Sequence, residues 1–218
     1  MLAGDIAELN IGVMCTIGPR VLAGMLDAYQ MNHPMTSIIL HDVTPPAINE
    51  LLLTGALDAV FCAIHDKAAD PRIRYIDIFE EPMVVAFPEH HELARFDQVP
   101  LAEIVKHPYV ERLHCEFRND TYSFAAEHDV ALNIVFRSER EDWIQSLIRD
   151  GVGVSLIPRY SLLQPELDHR PLSDPLLTRK VALAVLPNVE MTIPLERLIE
   201  EASSYPWPVS LGEPTRDV

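Results

Sequence analysis

The chain has 218 residues, a formal net charge of −16 and a pI near 4.8, so it repels phosphate backbones and is a poor candidate for direct DNA contact. Hydrophobic residues make up 48% and charged residues 23%, enough for a sizeable core and too apolar for disorder over most of the length. No window approaches the roughly 20 apolar residues of a membrane span, the start MLAGDIAELN has no signal-peptide pattern, and three cysteines (Cys15, Cys62, Cys115) fit a reducing, cytoplasmic compartment better than a disulfide framework.

Residues 9–14, LNIGVM, read as a first strand. A helix follows, with Pro19 in its first turn and Leu22, Met25, Leu26 and Tyr29 on one face; His33 and Pro34 break it. Residues 37–41 form a second strand. Thr44, Pro45 and Pro46 start a second helix, with Thr44 as cap and Ile48, Leu51 and Leu52 as its buried stripe. Gly55 ends that helix, and residues 57–62 are a third strand. This β-α-β-α-β run predicts a parallel sheet with right-handed crossovers.

After a polar loop at 65–74, two apolar strands are predicted at 75–79 and 83–87. A second series follows: a short helix near 101–106, a strand at 109–113, a helix near 121–128 and a strand at 131–137. The stretch VFRSEREDWIQSLIRDGVGVSLIPRY, residues 135–160, then reads as strand, helix, glycine turn and buried parallel strand. In it Ser138 and Glu141 form an S-x-x-E capping box. Trp143, Ile144, Leu147 and Ile148 make the apolar stripe, and Gly151 supplies the left-handed C-terminal position. A strand at 180–186 and an amphipathic helix at 194–203 complete the chain, and the proline- and glycine-interrupted tail after it is expected to be disordered. Two such series predict two α/β subdomains, with a ligand in the crevice at the carboxyl ends of their strands.

LNIGV at 9–13, LLLTGALDAVF at 51–61, PMVVAFPEHHELA at 82–94 and GVGVSLIP at 151–158 together resemble the effector-binding domain of LysR-type transcriptional regulators. The resemblance implies a periplasmic-binding-protein type II-like fold, two Rossmann-like subdomains joined by two hinge strands. Subdomain I takes residues 8–84 and 182–205, subdomain II residues 85–181, and 206–218 are the tail. It also implies a helix-turn-helix domain ahead of residue 1. The chain is then expected to be a truncated regulator that reaches DNA only through that domain. A homo-oligomer, dimer or tetramer, is implied, with the first helix (Leu22, Met25, Leu26) and second strand pairing with a partner's second subdomain.

Thr16 and Thr44 each follow a strand and precede a helix, so hydroxyl and backbone donors can meet a small carboxylate there; simple N-capping is the plainer role. Ser138 raises the same alternative. The stretch LHCEFR at 113–118 puts Phe117 at the mouth of the expected crevice, and Cys115 close to where peroxide-sensing members of the family carry their reactive cysteine. His114 or Arg118 can favour a thiolate there, but no cysteine follows Cys115 to resolve it. The expected ligand-binding set is therefore Thr16, Thr44, Cys115, Phe117 and Ser138. A redox-sensing domain, or a solute-binding or enzyme domain of the same fold, is the alternative. No catalytic motif, cofactor fingerprint or metal-ligand spacing appears, so no enzyme, cofactor or metal is expected.

Overall fold

The computed structural model describes residues 6–64, 70–113, 117–127, 129–173, 176–187 and 191–208. The strands are β1 (Ala7–Met14), β2 (Thr36–Val43), β3 (Ala59–Ile64), β4 (Arg74–Pro88), β5 (Pro108–Arg112), β6 (Asn133–Ser138), β7 (Ser155–Pro158), β8 (Leu167–Pro171) and β9 (Thr178–Val185). The helices are α1 (Pro19–Asn32), α2 (Ile48–Leu53), α3 (Leu101–Ile104), α4 (Arg118–Glu127), α5 (Glu141–Arg149) and α6 (Ile193–Ser204). The chain divides into two compact units, Met1–Glu81 with Arg179–Val218, and Pro82–Thr178. It therefore leaves unit one within β4 and returns within β9, at Glu81–Pro82 and Thr178–Arg179, slightly before the 84/85 and 181/182 crossings expected from sequence.

In unit one, β1 lies between β2 and β3, parallel to both, as the β-α-β-α-β reading predicts. β9 adds antiparallel to β3, with Cys62 opposite Ala182. Val181 to Val185 are all fully buried, so β9 is covered on both faces. The α1 face is as predicted, with Leu22, Met25 and Tyr29 buried. Tyr29 donates its hydroxyl hydrogen to the Pro194 carbonyl at 3.0 Å and joins α1 to α6. The second helix differs from expectation. Pro45 and Pro46 bring no N–H donors, so the chain makes one 3-10 turn, closed by the Ala47 N–H on the Thr44 carbonyl at 3.0 Å, before α2 begins. Residues 206–208, grouped with the tail by sequence, are described and lie against α6. Trp207 is buried, donates to the Ala202 carbonyl at 2.6 Å and stands 5.5 Å from the Phe79 ring.

In unit two, β5 and β6 form one ladder, and β4 pairs with both β7 and β8. β6 pairs parallel to β5, and β7 and β8 both pair antiparallel to β4. The predicted strands at 75–79 and 83–87 are one continuous strand, β4. Pro82 does not break it, because the pairing to β7 starts only at Met83 and that to β8 at Val84. β7 is parallel to β5 as expected, through a bridge in which Val110 N–H meets the Val154 carbonyl and Val154 N–H meets the Pro108 carbonyl, both at 2.9 Å; its longer pairing, to β4, is antiparallel. β8, LDHRP, is an edge strand whose polar residues hide it from a hydrophobic pattern. Side chains of β4 alternate between two cores. Met83, Val85 and Phe87 face Leu93, Ile104 and Leu156, while Val84 and Ala86 face Ile144, Ile148 and Ile157.

The capping box does not form. α5 starts at Glu141, its N-cap is Arg140, and no side chain caps it. Its buried face is Glu141, Ile144, Gln145 and Ile148, while Trp143 is 57% exposed. Gly151 takes the left-handed conformation expected of it, with φ 77°. Gly153 is required for a different reason: a Cβ there stands 2.4 Å from the Pro108 carbonyl oxygen, inside the β5–β7 bridge. Gly153→Ala is expected to destabilise the chain by about 1–3 kcal/mol, the usual range for overpacking, seen as a lower urea midpoint with unchanged slope.

Candidate functional site

Met14 and Val43 are partners in the parallel ladder, so the segments that follow them leave the sheet side by side at its carboxyl edge. Thr16 and Thr44 stand there, but their hydroxyls are used differently. Thr16 is fully buried and caps no helix; Gly18 is the N-cap of α1. Its Oγ1 accepts from Arg179 Nη1 at 2.7 Å and its carbonyl from Arg179 Nη2 at 2.8 Å. Arg179 Nε and Nη2 also donate to Glu81 Oε1, in an ion pair whose two side chains are both wholly buried. Thr44 is half-buried, starts the 3-10 turn in extended conformation and makes no side-chain cap bond. Among the described residues its hydroxyl has no protein partner. The capping role expected of Thr16 and Thr44 is thus corrected at both positions, by a stronger cationic donor at the first and by the proline-led turn at the second.

Burial pushes the Cys62 thiol up to about 12, against a smaller downward pull from the Arg179 charge. Cys62 is therefore a packed, protonated thiol. Among the described residues neither Cys15 nor Cys62 is in a disulfide.

In unit two, Ser138 ends β6 opposite Arg112 and is half-buried. Its Oγ accepts from the Arg140 N–H at 3.1 Å, a tight local turn in place of the cap. Phe117 is partly buried against the Met83–Phe87 core, so its ring is a wall of that core as much as of any surface site. Cys115, with His114, lies outside the described residues. Ser138, Phe136, Arg137, Arg140, Trp143 and Leu147 line one open surface depression of unit two.

A second polar cluster, not foreseen from sequence, stands at the end of β5. Glu111 is almost fully buried. It accepts from Arg118 Nε at 3.1 Å, Arg137 Nε at 2.9 Å and the Tyr122 hydroxyl at 2.5 Å, which ties α4 and β6 to β5. Burial raises the Glu111 pKa, but the bonds from Tyr122, Arg118 and Arg137 outweigh it, and the net shift is downward. Beside it Arg112 pairs with Glu141 at 3.4 Å, both buried. This pairing explains the failed capping box: Glu141 is turned inward. The signal available in sequence was the charged pair Glu111-Arg112 closing an apolar strand.

The model of the LysR substrate binding domain family matches residues 3–205. The chain belongs to that family. Among curated LysR relatives, it is 26% identical over 199 residues to the DNA-binding transcriptional dual regulator OxyR of Escherichia coli K12, covering 88% of this chain and 64% of that protein. It is 23% identical over 202 residues to the hydrogen peroxide-inducible genes activator of Haemophilus influenzae, covering 89% and 66%. The chain thus spans under two thirds of the length of these relatives. Solved structures of similar fold include the effector-binding domain of QuiR in complex with shikimate, with TM-score 0.78, 19% identity and coverage of 91% of this chain and 96% of that one. The cofactor-binding domain of the Cbl transcriptional regulator gives TM-score 0.79, 20% identity and coverage of 94% and 92%. The expected LysR-type, periplasmic-binding-protein-like fold is therefore the observed one.

The Glu111 cluster makes a pH-dependent contribution to this LysR domain. A carboxylate with a depressed folded pKa stabilises the fold above its unfolded pKa of about 4.3, and that stability is lost as pH falls through the folded value. Glu111→Gln is expected to cost about 1.5–3 kcal/mol at neutral pH, the range for hydrogen bonds to a charged group. The gap from the parent should narrow as pH falls below about 5. Urea titrations of both proteins across that range measure it.

Proposed function

We propose that this chain is the effector-sensing part of a cytoplasmic LysR-type transcription regulator, which binds a small polar molecule at the carboxyl ends of its strands and contacts DNA through residues outside these 218. The family match over residues 3–205 carries the reading. The local geometry supports it: at the end of a parallel strand, Thr44 presents a hydroxyl that no described residue uses. Thr44 with the Thr16 turn behind it is the unit-one half of the proposed binding set. Ser138, Phe117 and Cys115 are the residues of that set that belong to unit two. A small carboxylate suits such hydroxyl donors, and the QuiR domain is a relative in fold whose bound molecule, shikimate, is one. A thermal-shift screen of small carboxylates, starting with shikimate, should find a ligand that raises the melting temperature; one present at 100 times its Kd contributes about 2.7 kcal/mol. Thr44→Val and Ser138→Ala, each folded, should then weaken its binding by about 1–3 kcal/mol in calorimetric titration. Unchanged affinity in both removes these residues from the site.

The regulator is further proposed to self-associate. Of the α1 residues expected at the contact, Leu22 and Met25 point into the core and Leu26 is half-buried. Unit one does expose Met31, Met35, Ile39 and Leu40, by 38–77%, on α1, the turn after it and edge strand β2. Unit two exposes Val135, Phe136 and Trp143. Light scattering should show at least a dimer, and a folded Leu40→Lys variant should shift it toward monomer.

A further inference from the structure

Both strands that cross the boundary of unit one carry, at the crossing, a charged residue of a single buried cluster. Glu81 is the last residue of unit one on β4, and Arg179 is the first on β9. The Arg179 guanidinium holds Glu81 through Nε and Nη2, and holds the Thr16 hydroxyl and carbonyl through Nη1 and Nη2. Thr16 belongs to the turn between β1 and α1, beside Thr44 at the sheet edge. One planar side chain therefore bonds the turn and the two departing strands at once.

We propose that Arg179 is a positioning residue that couples the β1–α1 turn to both departing strands, so that a change at the turn is felt at Glu81 and Arg179. The coupling follows from the chemistry of the pair. Glu81 and Arg179 have no exposed side-chain surface, so neither charge can turn to water when a partner is lost. The guanidinium fork is rigid, so it cannot follow Thr16 and keep the same geometry on Glu81. Thr16 accepts from Arg179, which leaves its hydroxyl hydrogen as a donor toward an acceptor group. A molecule that recruits that hydrogen reorients the oxygen on which Nη1 rests. The value of this coupling for sensing rests on the effector reading above; the coupling itself does not.

Amide hydrogen exchange on the ligand-free 218-residue chain tests it, independently of whether any carboxylate binds. Thr16→Val removes the acceptor and keeps the shape. It should speed exchange in residues 78–81 and 179–182 by roughly tenfold, the order expected from loss of one buried partner of a charged group. In the other direction Glu81→Gln should speed exchange in residues 15–18. Thr16→Ser, which restores the hydroxyl, should return parent rates. Thr44→Val, in the neighbouring turn of the same unit, should leave residues 78–81 and 179–182 unchanged. If a folded Thr16→Val leaves those segments at parent rates, or Thr44→Val speeds them equally, Arg179 does not couple them and the proposal fails. Failure of every carboxylate to bind, with these exchange results intact, removes the effector reading and leaves the coupling standing.

Discussion

A charge without exposed surface has to be satisfied by protein alone, and unit one contains two of them, Arg179 and Glu81, bonded to each other. Leaving either one alone by removing its partner typically costs about 3–5 kcal/mol, because the survivor stays desolvated. The position of the pair follows from β9. From Val181 to Val185 that strand is buried on both faces and carries only apolar side chains, so a polar group can enter only at its end. Arg179 occupies that end with its side chain buried, and the Thr16 backbone carbonyl and hydroxyl complete its shell. The same guanidinium also pulls the Cys62 pKa down, too weakly to offset burial.

Unit two solves the same problem with the charges reversed. There a buried carboxylate, Glu111, is the hub, and two arginines and a tyrosine converge on it from α4 and β6. In both clusters the cation is arginine, and 14 of the 17 basic residues in the chain are arginine. A fork of several donors can serve two partners at fixed angles, whereas a lysine is a single mobile point charge. In a chain with 33 acidic residues, this places scarce positive charge where it fixes geometry as well as balancing charge.

These clusters also mark the limit of what the sequence makes legible. Periodicity revealed the first five elements and the glycine turn at Gly151, because apolar spacing and left-handed backbone are local properties. Arg179 and Glu81 are 98 residues apart and Glu111 and Arg137 are 26 apart, and no local pattern pairs them. The errors have the same origin. Ser138 and Glu141 have the spacing of a capping box, yet Glu141 is taken by Arg112 from another strand. Trp143 fits the apolar stripe, yet the buried face of α5 is rotated toward Glu141 and Gln145. Gln145 earns its burial by donating to the Ser161 carbonyl at 2.7 Å and accepting from the Leu163 N–H at 2.9 Å. β8 was missed because an edge strand needs only one neighbour and tolerates polar side chains.

Thr16 and Thr44 show how far identical local logic can diverge. Each is a threonine just past a parallel strand and just before a helical segment, and each reads as a cap and a ligand donor. Tertiary structure separates them. At Thr16 the incoming chain of β9 supplies a cation that consumes the hydroxyl oxygen and the carbonyl, so this threonine reports on the strands behind it. At Thr44 the two prolines replace a capped helix start with a 3-10 turn, so no amide claims the hydroxyl. At this edge of the sheet the Thr44 hydroxyl is uncommitted, whereas the Thr16 hydroxyl is wholly buried and already bound into the fold. The uncommitted group can gain a partner without giving one up, which makes Thr44 the cheaper contact, while engaging Thr16 disturbs a buried ion pair.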